Sequence, residues 1–304
     1  MRINLPKSFD TSTIASFYKE VMDHMKLLNP QHIIFDFTKL NFVRPSGIVA
    51  LSNMINLIEL FYPRTLIGYN TPDDYADRPR SYPAVDFLDD SLFFIKVMGY
   101  KLHPGSHERS TTNGLVDLKQ GTFNKGYIDN TIEFLKGIVG LRDKSFSFLD
   151  TALTEVFNNI IDHSESPIGG SVFAQHYPKE KQIILSIADC GVGIPTKMSR
   201  KFHVDDKGQP LDTDAKLINF ATYPRVSTKS NPRNRGVGLE VLNSIIRNNQ
   251  GRLIILSNEG QFSYNSSTGI LLSNASSHYS GTVLNLYFNT LEKEEEEDLS
   301  WDSL

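Results

Sequence analysis

The chain has 304 residues, room for two domains that each bury a core, and its 39% hydrophobic and 22% charged content is that of an ordinary globular protein. A formal net charge of −4 offers no broad basic field, so nucleic acid is not an expected partner. The lone cysteine, Cys190, excludes an internal disulfide; with no signal-like start in MRINLPKSF and no apolar run of roughly 18–20 residues, a cytoplasmic address without membrane attachment is expected.

In chain order, Arg2–Leu5 reads as a short strand. Ser8 or Thr11 then offers an N-cap for an amphipathic helix through Met25, with Ile14, Phe17, Tyr18, Val21 and Met25 on one face. Asn29-Pro30 ends it. His32–Phe37 is a strand of buried type, with Lys39–Val43 as its continuation, and Pro45-Ser46-Gly47 opens a helix from Ile48 to about Phe61. Pro63–Tyr69 reads as a strand, Tyr69–Pro83 as an irregular excursion and Val85–Tyr100 as one helix. This alternation predicts a small α/β domain over residues 1–100. Lys101–Phe123, with its Pro, Gly, Ser and Thr, reads as a linker.

The second half, residues 124–290, begins with a helix over Gly126–Val139. Leu149–Ser164 follows as a helix with Leu149, Ala152, Leu153, Val156, Phe157, Ile160 and Ile161 in one stripe. Glu155, Asn159 and Asp162 share another face, which taken alone is a solvated one. Ser171–Tyr177 and Gln182–Ala188 read as strands joined by the turn Pro178–Lys181. The second of them runs into Asp189 and the Gly191-Val192-Gly193 turn. Pro195–Arg235 holds one convincing helix, Thr213–Ala221, and a connection of that length reads as a functional lid or as disorder. Asn234–Leu242 is a glycine turn opening the helix Gly238–Asn248. Three strands, Arg252–Ser257, Gln261–Tyr264 and Thr282–Phe288, complete a sheet. Residues 291–304, LEKEEEEDLSWDSL, read as an acidic disordered tail, in which Trp301 leaves a short docking peptide open.

An Asn-bearing helix, a strand-end Asp-x-Gly-x-Gly and an Arg-Gly-x-Gly-Leu helix start, in this order, resemble the ATP-binding domain of the GHKL superfamily. That superfamily includes DNA gyrase, heat-shock chaperones, histidine kinases, mismatch-repair ATPases and the serine kinases of anti-sigma-factor antagonists. The resemblance spans residues 126–290 and implies an α/β sandwich with ATP and Mg²⁺ as cofactors. It implies Asp189 as the reader of the adenine amino group, with Gly191 and Gly193 allowing close approach to the ring and Thr282 sharing a water with the aspartate. It also implies Asn159 as the Mg²⁺ ligand and Glu155 as the carboxylate that orients or deprotonates the nucleophile. Asp162 and His163 match acid and histidine positions of particular branches, or are helix-end groups. A helix N-terminus favours phosphate through unpaired N–H groups, here those of Gly236, Val237 and Gly238. The preceding run, Ser227–Arg235, places Thr228, Lys229 and Arg235 in a lid over the β- and γ-phosphates.

Phe35–Leu51, a buried strand, a short turn and a Ser-Gly opening a helix, resembles the STAS fold of anti-sigma-factor antagonists. There the serine before the glycine is phosphorylated, which makes Ser46 a candidate phosphoacceptor, although Arg44 and Pro45 stand where Asp and Ser are usual. A plain N-cap accounts for the position of Ser46 as well. The expected fold class is therefore α/β, a STAS-like domain followed by a GHKL-type α/β sandwich. The expected function is an Mg-ATP-binding regulator that uses hydrolysis and lid closure as a conformational switch. Its STAS-like domain would dock a protein partner, and a homodimer is a further expectation. The alternatives are a serine protein kinase acting on a STAS domain in cis or trans, and an ATP-dependent interaction module without turnover. A histidine kinase would need an acceptor hairpin, whereas Asp23-His24, the one Asp-His on a predicted helix, falls in the first domain.

Overall fold

The computed structural model describes residues 1–77, 79–119, 125–139, 141, 143–224, 226 and 237–290. It begins with β1 (Arg2–Asn4), β2 (Ser8–Phe9), α1 (Ile14–Leu28), β3 (His32–Asp36), β4 (Phe42–Val43), α2 (Pro45–Phe61) and β5 (Leu66–Asn70). β1, β3 and β5 form a parallel sheet in the order β1-β3-β5, and β2 pairs with β4 separately. β4 is therefore not a continuation of β3. The side chain of Asp36 accepts the N–H and hydroxyl of Thr38 (2.9 and 2.7 Å), an Asx-type turn that stops the strand.

α3 (Pro83–Asp90) and α4 (Phe93–Met98) replace the single helix expected over Val85–Tyr100. Leu92, at φ 61, breaks the helical run. Buried acids organise the loops around that break. The Asp89 carboxylate accepts the N–H groups of Leu102 and His103 (2.9 and 3.0 Å), and Asp90 pairs with Arg80 and Arg109, both at 2.7 Å. These bonds offset the burial of Asp90 and hold its carboxyl below the usual carboxylate range. The Asp90 contribution to stability is complete above the unfolded-state pKa of about 3.9 and is lost as pH falls through the lower folded value. Asp90→Ala removes the buried acceptor of Arg80, Arg109 and the His107 N–H, while Arg80, half-buried, keeps Asp86. The expected loss is about 2 kcal/mol in denaturant unfolding at neutral pH, the worth of hydrogen bonds to a charged group, shrinking in acid.

β6 (Thr112–Leu118) comes from the stretch expected to be a linker. α5 (Lys125–Lys136), α6 (Asp143–Asn158), β7 (Gly170–Tyr177), β8 (Gln182–Asp189), α7 (Gly193–Ser199), α8 (Asp214–Ala221) and α9 (Val237–Asn248) follow. β9 (Arg252–Asn265) and β10 (Gly269–Asn289) close the chain's described part as one long hairpin instead of three short strands. The five strands form an antiparallel sheet in the order β6-β7-β8-β10-β9. The expected linker thus supplies the edge strand of the second sheet.

Strand alternation gives this sheet two apolar faces. Val172, Ala174, Ile183, Leu185, Ile187, Leu284 and Leu286 share a core with α5, α6 and α9. Phe173, Ala188, Val283 and Tyr279 share a second core with α1, α2 and the strand residues Ile33 and Phe35. α2 lies deep in that second core: from Pro45 to Ile58 every residue but Asn56 is buried. A helix apolar all round is one that is enclosed, and α2 reads that way in sequence. The N-terminal α/β segment is consequently a layer on the five-stranded sheet, with no gap between cores at residue 100.

Candidate functional site

β8 ends at Asp189, in register with Gly170 of β7 and Thr282 of β10. The Asp189 carboxylate accepts the N–H of Gly191 at 2.8 Å and the backbone N–H of Thr282. Burial nevertheless outweighs these bonds and pushes its pKa up to about 7. A carboxylate has about four acceptor positions, so two bonds leave capacity for an incoming N–H donor. A desolvated carboxyl fixed at a strand end is suited to receive an exocyclic amino group.

Gly191 and Gly193 are required here by the protein's own packing. A Cβ at Gly191 would lie 2.0 Å from the carbonyl oxygen of Ser164, which accepts the N–H of Val192 at 3.0 Å. A Cβ at Gly193, where φ is +81, would lie 2.2 Å from Oδ1 of Asn258. The loop is thereby drawn onto the end of the Asn-bearing helix. α6 continues past Asn158 as one π-helical turn, Asn159–His163, and Ser164 closes it by donating to the carbonyl of Ile160 at 2.6 Å. Such widened turns are frequent at functional sites.

Asn159 and Glu155 are both half-buried. A Cβ at Gly238, in the first turn of α9, would lie 3.4 Å from Cγ of Glu155 and 3.5 Å from the carbonyl of Ala152. The glycine-opened helix therefore starts against Glu155, while Ser164 ties the Asn159 turn to the Asp189 loop. Thr228, Lys229, Arg235 and Gly236 lie outside the described residues, as does the tail from 291 to 304. Within the expected lid, α7 joins α8, so two helices stand where one was predicted.

Thr282 meets Asp189 through its backbone, and its hydroxyl lies 3.0 Å from that of Ser257. Ser257 accepts the N–H of Ile194 at 2.9 Å and donates to the carbonyl of Gly281 at 2.7 Å, pinning the start of α7 to β10. Asn258 donates to the carbonyl of Val192 and the hydroxyl of Thr196 (3.2 and 2.8 Å). Neither residue stood out in the sequence; a Ser-Asn pair ending a run of apolar strand residues was the available signal. Ser46 is 2% exposed and follows Pro45 in the first turn of α2, whose N-cap is Arg44. Its hydroxyl is offered neither as a cap nor to an approaching phosphoryl group.

These donors fit an adenine nucleotide with magnesium. Asp189 is a buried carboxyl with acceptor capacity to spare, as an exocyclic amino group requires, and the side-chain oxygen of Asn159 is of the hard type that Mg²⁺ takes. The raised carboxyl pKa has a testable consequence. Below pH 7 the carboxyl of Asp189 keeps its proton, and an amino hydrogen received there would displace it. ATP binding should therefore tighten as pH rises towards about 7, with proton release seen by calorimetry in buffers of different ionisation heat. Asp189→Asn should bind with no such release.

Residues 146–288 match a family model described as histidine kinase-, DNA gyrase B-, and HSP90-like ATPase. No curated protein matches the chain. Asp189, Asn159, Glu155 and Gly238 all fall inside the matched span, so the described site lies in the part of the chain that is similar to the histidine kinase-, DNA gyrase B- and HSP90-like ATPases.

Proposed function

We propose that the protein is an Mg-ATP-dependent regulatory switch whose nucleotide state is passed to the N-terminal layer. One observation carries this reading. Asn53 of α2 donates to the carbonyl of Ala188 at 2.9 Å, and Tyr279 donates to the carbonyl of Asp189 at 3.1 Å with its ring 4.9 Å from that of Tyr18 in α1. The two peptide units flanking Asp189 are thus gripped from the side of α1 and α2.

Bound Mg-ATP supplies the phosphoanhydride and the charge of the metal. Asp189 accepts the adenine amino hydrogen, held ready by Gly191 and Thr282. Asn159 would hold Mg²⁺ through its amide oxygen. Glu155 orients the attacking water and accepts its proton. Gly238, at the start of α9, and with it Gly236, Thr228, Lys229 and Arg235, would hold the phosphates. The STAS-like N-terminal layer docks a protein partner, and the strain of lid closure reaches it through the Ala188 and Asp189 carbonyls.

The burial of Ser46 favours hydrolysis over phosphorylation in cis. Phosphate release from purified protein with Mg-ATP, followed by intact-mass measurement, tests the reading. Phosphate without phosphoprotein is expected. Stoichiometric phosphate on Ser46 would make the protein a serine kinase, and bound ATP with neither product would make it an interaction module without turnover.

A further inference from the structure

The N-terminal layer and the five-stranded sheet do not close completely on one another. At the far end of β7 from the Asp189 loop they leave a cavity of about 470 Å³ between β4, α3 and the β7–β8 turn, room for a bicyclic side chain. Its apolar walls are Phe42, Pro83 and Phe87 from the N-terminal layer and Tyr177 and Pro178 from the sheet. These walls can be reached from outside: Phe42 is 39% exposed, and Pro83 and Pro178 are exposed as well. The guanidinium of Arg44, which does not itself line the cavity, lies 4.7 Å from the ring centre of Phe42 and 4.8 Å from that of Tyr177 and holds both rings in place. A concave surface of accessible rings and prolines suits a further aromatic side chain.

The rim is cationic. Lys179 is exposed on the turn, and Lys181 is exposed two residues on. Lys7 is exposed beside the Phe42 wall, its carbonyl accepting the N–H groups of Asn41 and Phe42 at 2.9 and 3.0 Å. Glu180, the one acid among the lining residues, is engaged by Arg44 at 3.0 Å.

The chain carries the complement of this surface, and it starts at the same turn. Thr290, just past β10, donates its N–H to the carbonyl of Lys181 at 3.0 Å, one residue from the lining residue Glu180. Residues 292–298 then hold six acids and one lysine, and Trp301 follows between Leu299 and Leu304. Trp301 lies eleven residues beyond Thr290, a reach of at most about 40 Å. So short a tether presents the indole to the cavity at an effective concentration in the millimolar range, an advantage that no separate peptide has.

We propose that this cavity is the docking site for residues 291–304 of the same chain. The indole of Trp301 packs on Phe42, Tyr177 and the two prolines, and the acids of 292–298 run along Lys179, Lys181 and Lys7. Because the walls come from both layers, the docked stretch ties them together at the end opposite Asp189. The docking uses no residue of the nucleotide site and holds whether or not ATP is the ligand there.

Trp301 is the chain's single tryptophan, so its fluorescence in the full chain reads the docking without a label. Emission at shorter wavelength than in the denaturant-unfolded chain is expected, with acrylamide quenching several-fold weaker, both independent of protein concentration. Phe42→Ala, checked by thermal melting, should move emission and quenching most of the way to the unfolded values. Lys179→Glu, on the exposed turn, should move them in the same direction and remains informative if the Phe42 variant does not fold. Native emission equal to that of the unfolded chain would overturn the proposal. So would a shielded Trp301 whose signal is unchanged in the folded variants, which seats it elsewhere, or one that varies with protein concentration, which seats it on a second copy.

Discussion

Glu155→Ala should abolish phosphate release while the protein still binds ATP. Removing a positioned general base costs about 10²- to 10⁴-fold in rate, which places residual turnover near background. Glu155 is half-buried on α6, and a Cβ at Gly238 would lie 3.4 Å from its Cγ, so the truncation opens space at the start of α9 without unseating the apolar stripe. Single-turnover assays at saturating Mg-ATP, with binding followed separately, check both halves. Wild-type turnover in this variant would remove Glu155 from the chemistry.

Asp189→Asn should weaken ATP on the order of tenfold to a hundredfold, the worth of a hydrogen bond to a charged acceptor. The amide also turns a donor towards a donor if its nitrogen faces the ring. The same change should not weaken the fold. Asp189 has its carboxyl pKa raised to about 7 by burial, so the empty protein loses stability as pH rises from the unfolded value near 3.9 through 7. Asn has no charge to desolvate, and at pH 8 the variant should melt no lower than wild type. Loss of affinity with retained stability separates a ligand-reading residue from a structural one. Unchanged affinity by calorimetry would overturn its assignment to adenine.

Local patterns carried much of this architecture. The stripe from Leu149 to Ile161, the buried-type strand into Asp189 and the helix through Leu239 are all short-range signals, and each forms the predicted element, while the glycine turn before that helix lies outside the described residues. What escaped was fixed by distant partners. The helix over Val85–Tyr100 breaks at Leu92 where Asp89 and Asp90 are drawn to Leu102, His103, Arg80 and Arg109, bonds that no local propensity encodes. Thr112–Leu118 contains a glycine and few apolar residues, so only its pairing with β7 makes it a strand. The middle of β10 is equally polar and is strand because β9 lies beside it.

At the site, the nucleotide-domain motifs were legible as a set, but the reason for two glycines was not. The sequence suggests clearance for a ring at Gly191 and Gly193, whereas Ser164 and Asn258 occupy the space their side chains would need. Asn53 sits in no motif. A polar residue inside a helix as apolar as α2 needs a buried partner, and that was the signal available. Its partners are the carbonyl of Ala188 and the hydroxyl of Ser171, the latter at 2.6 Å.

Asn53 and Tyr279 make the central claim measurable, since they tie the nucleotide loop to the layer that would report its state. Hydrogen exchange of the whole chain, with and without Mg²⁺ and a non-hydrolysable ATP analogue, is the most direct measurement. Slower exchange is expected in α1 and α2 as well as in residues 155–193 when the nucleotide binds, with none of these changes in Asp189→Asn. Protection confined to residues 155–193, with α1 and α2 exchanging identically in both states, would contradict it.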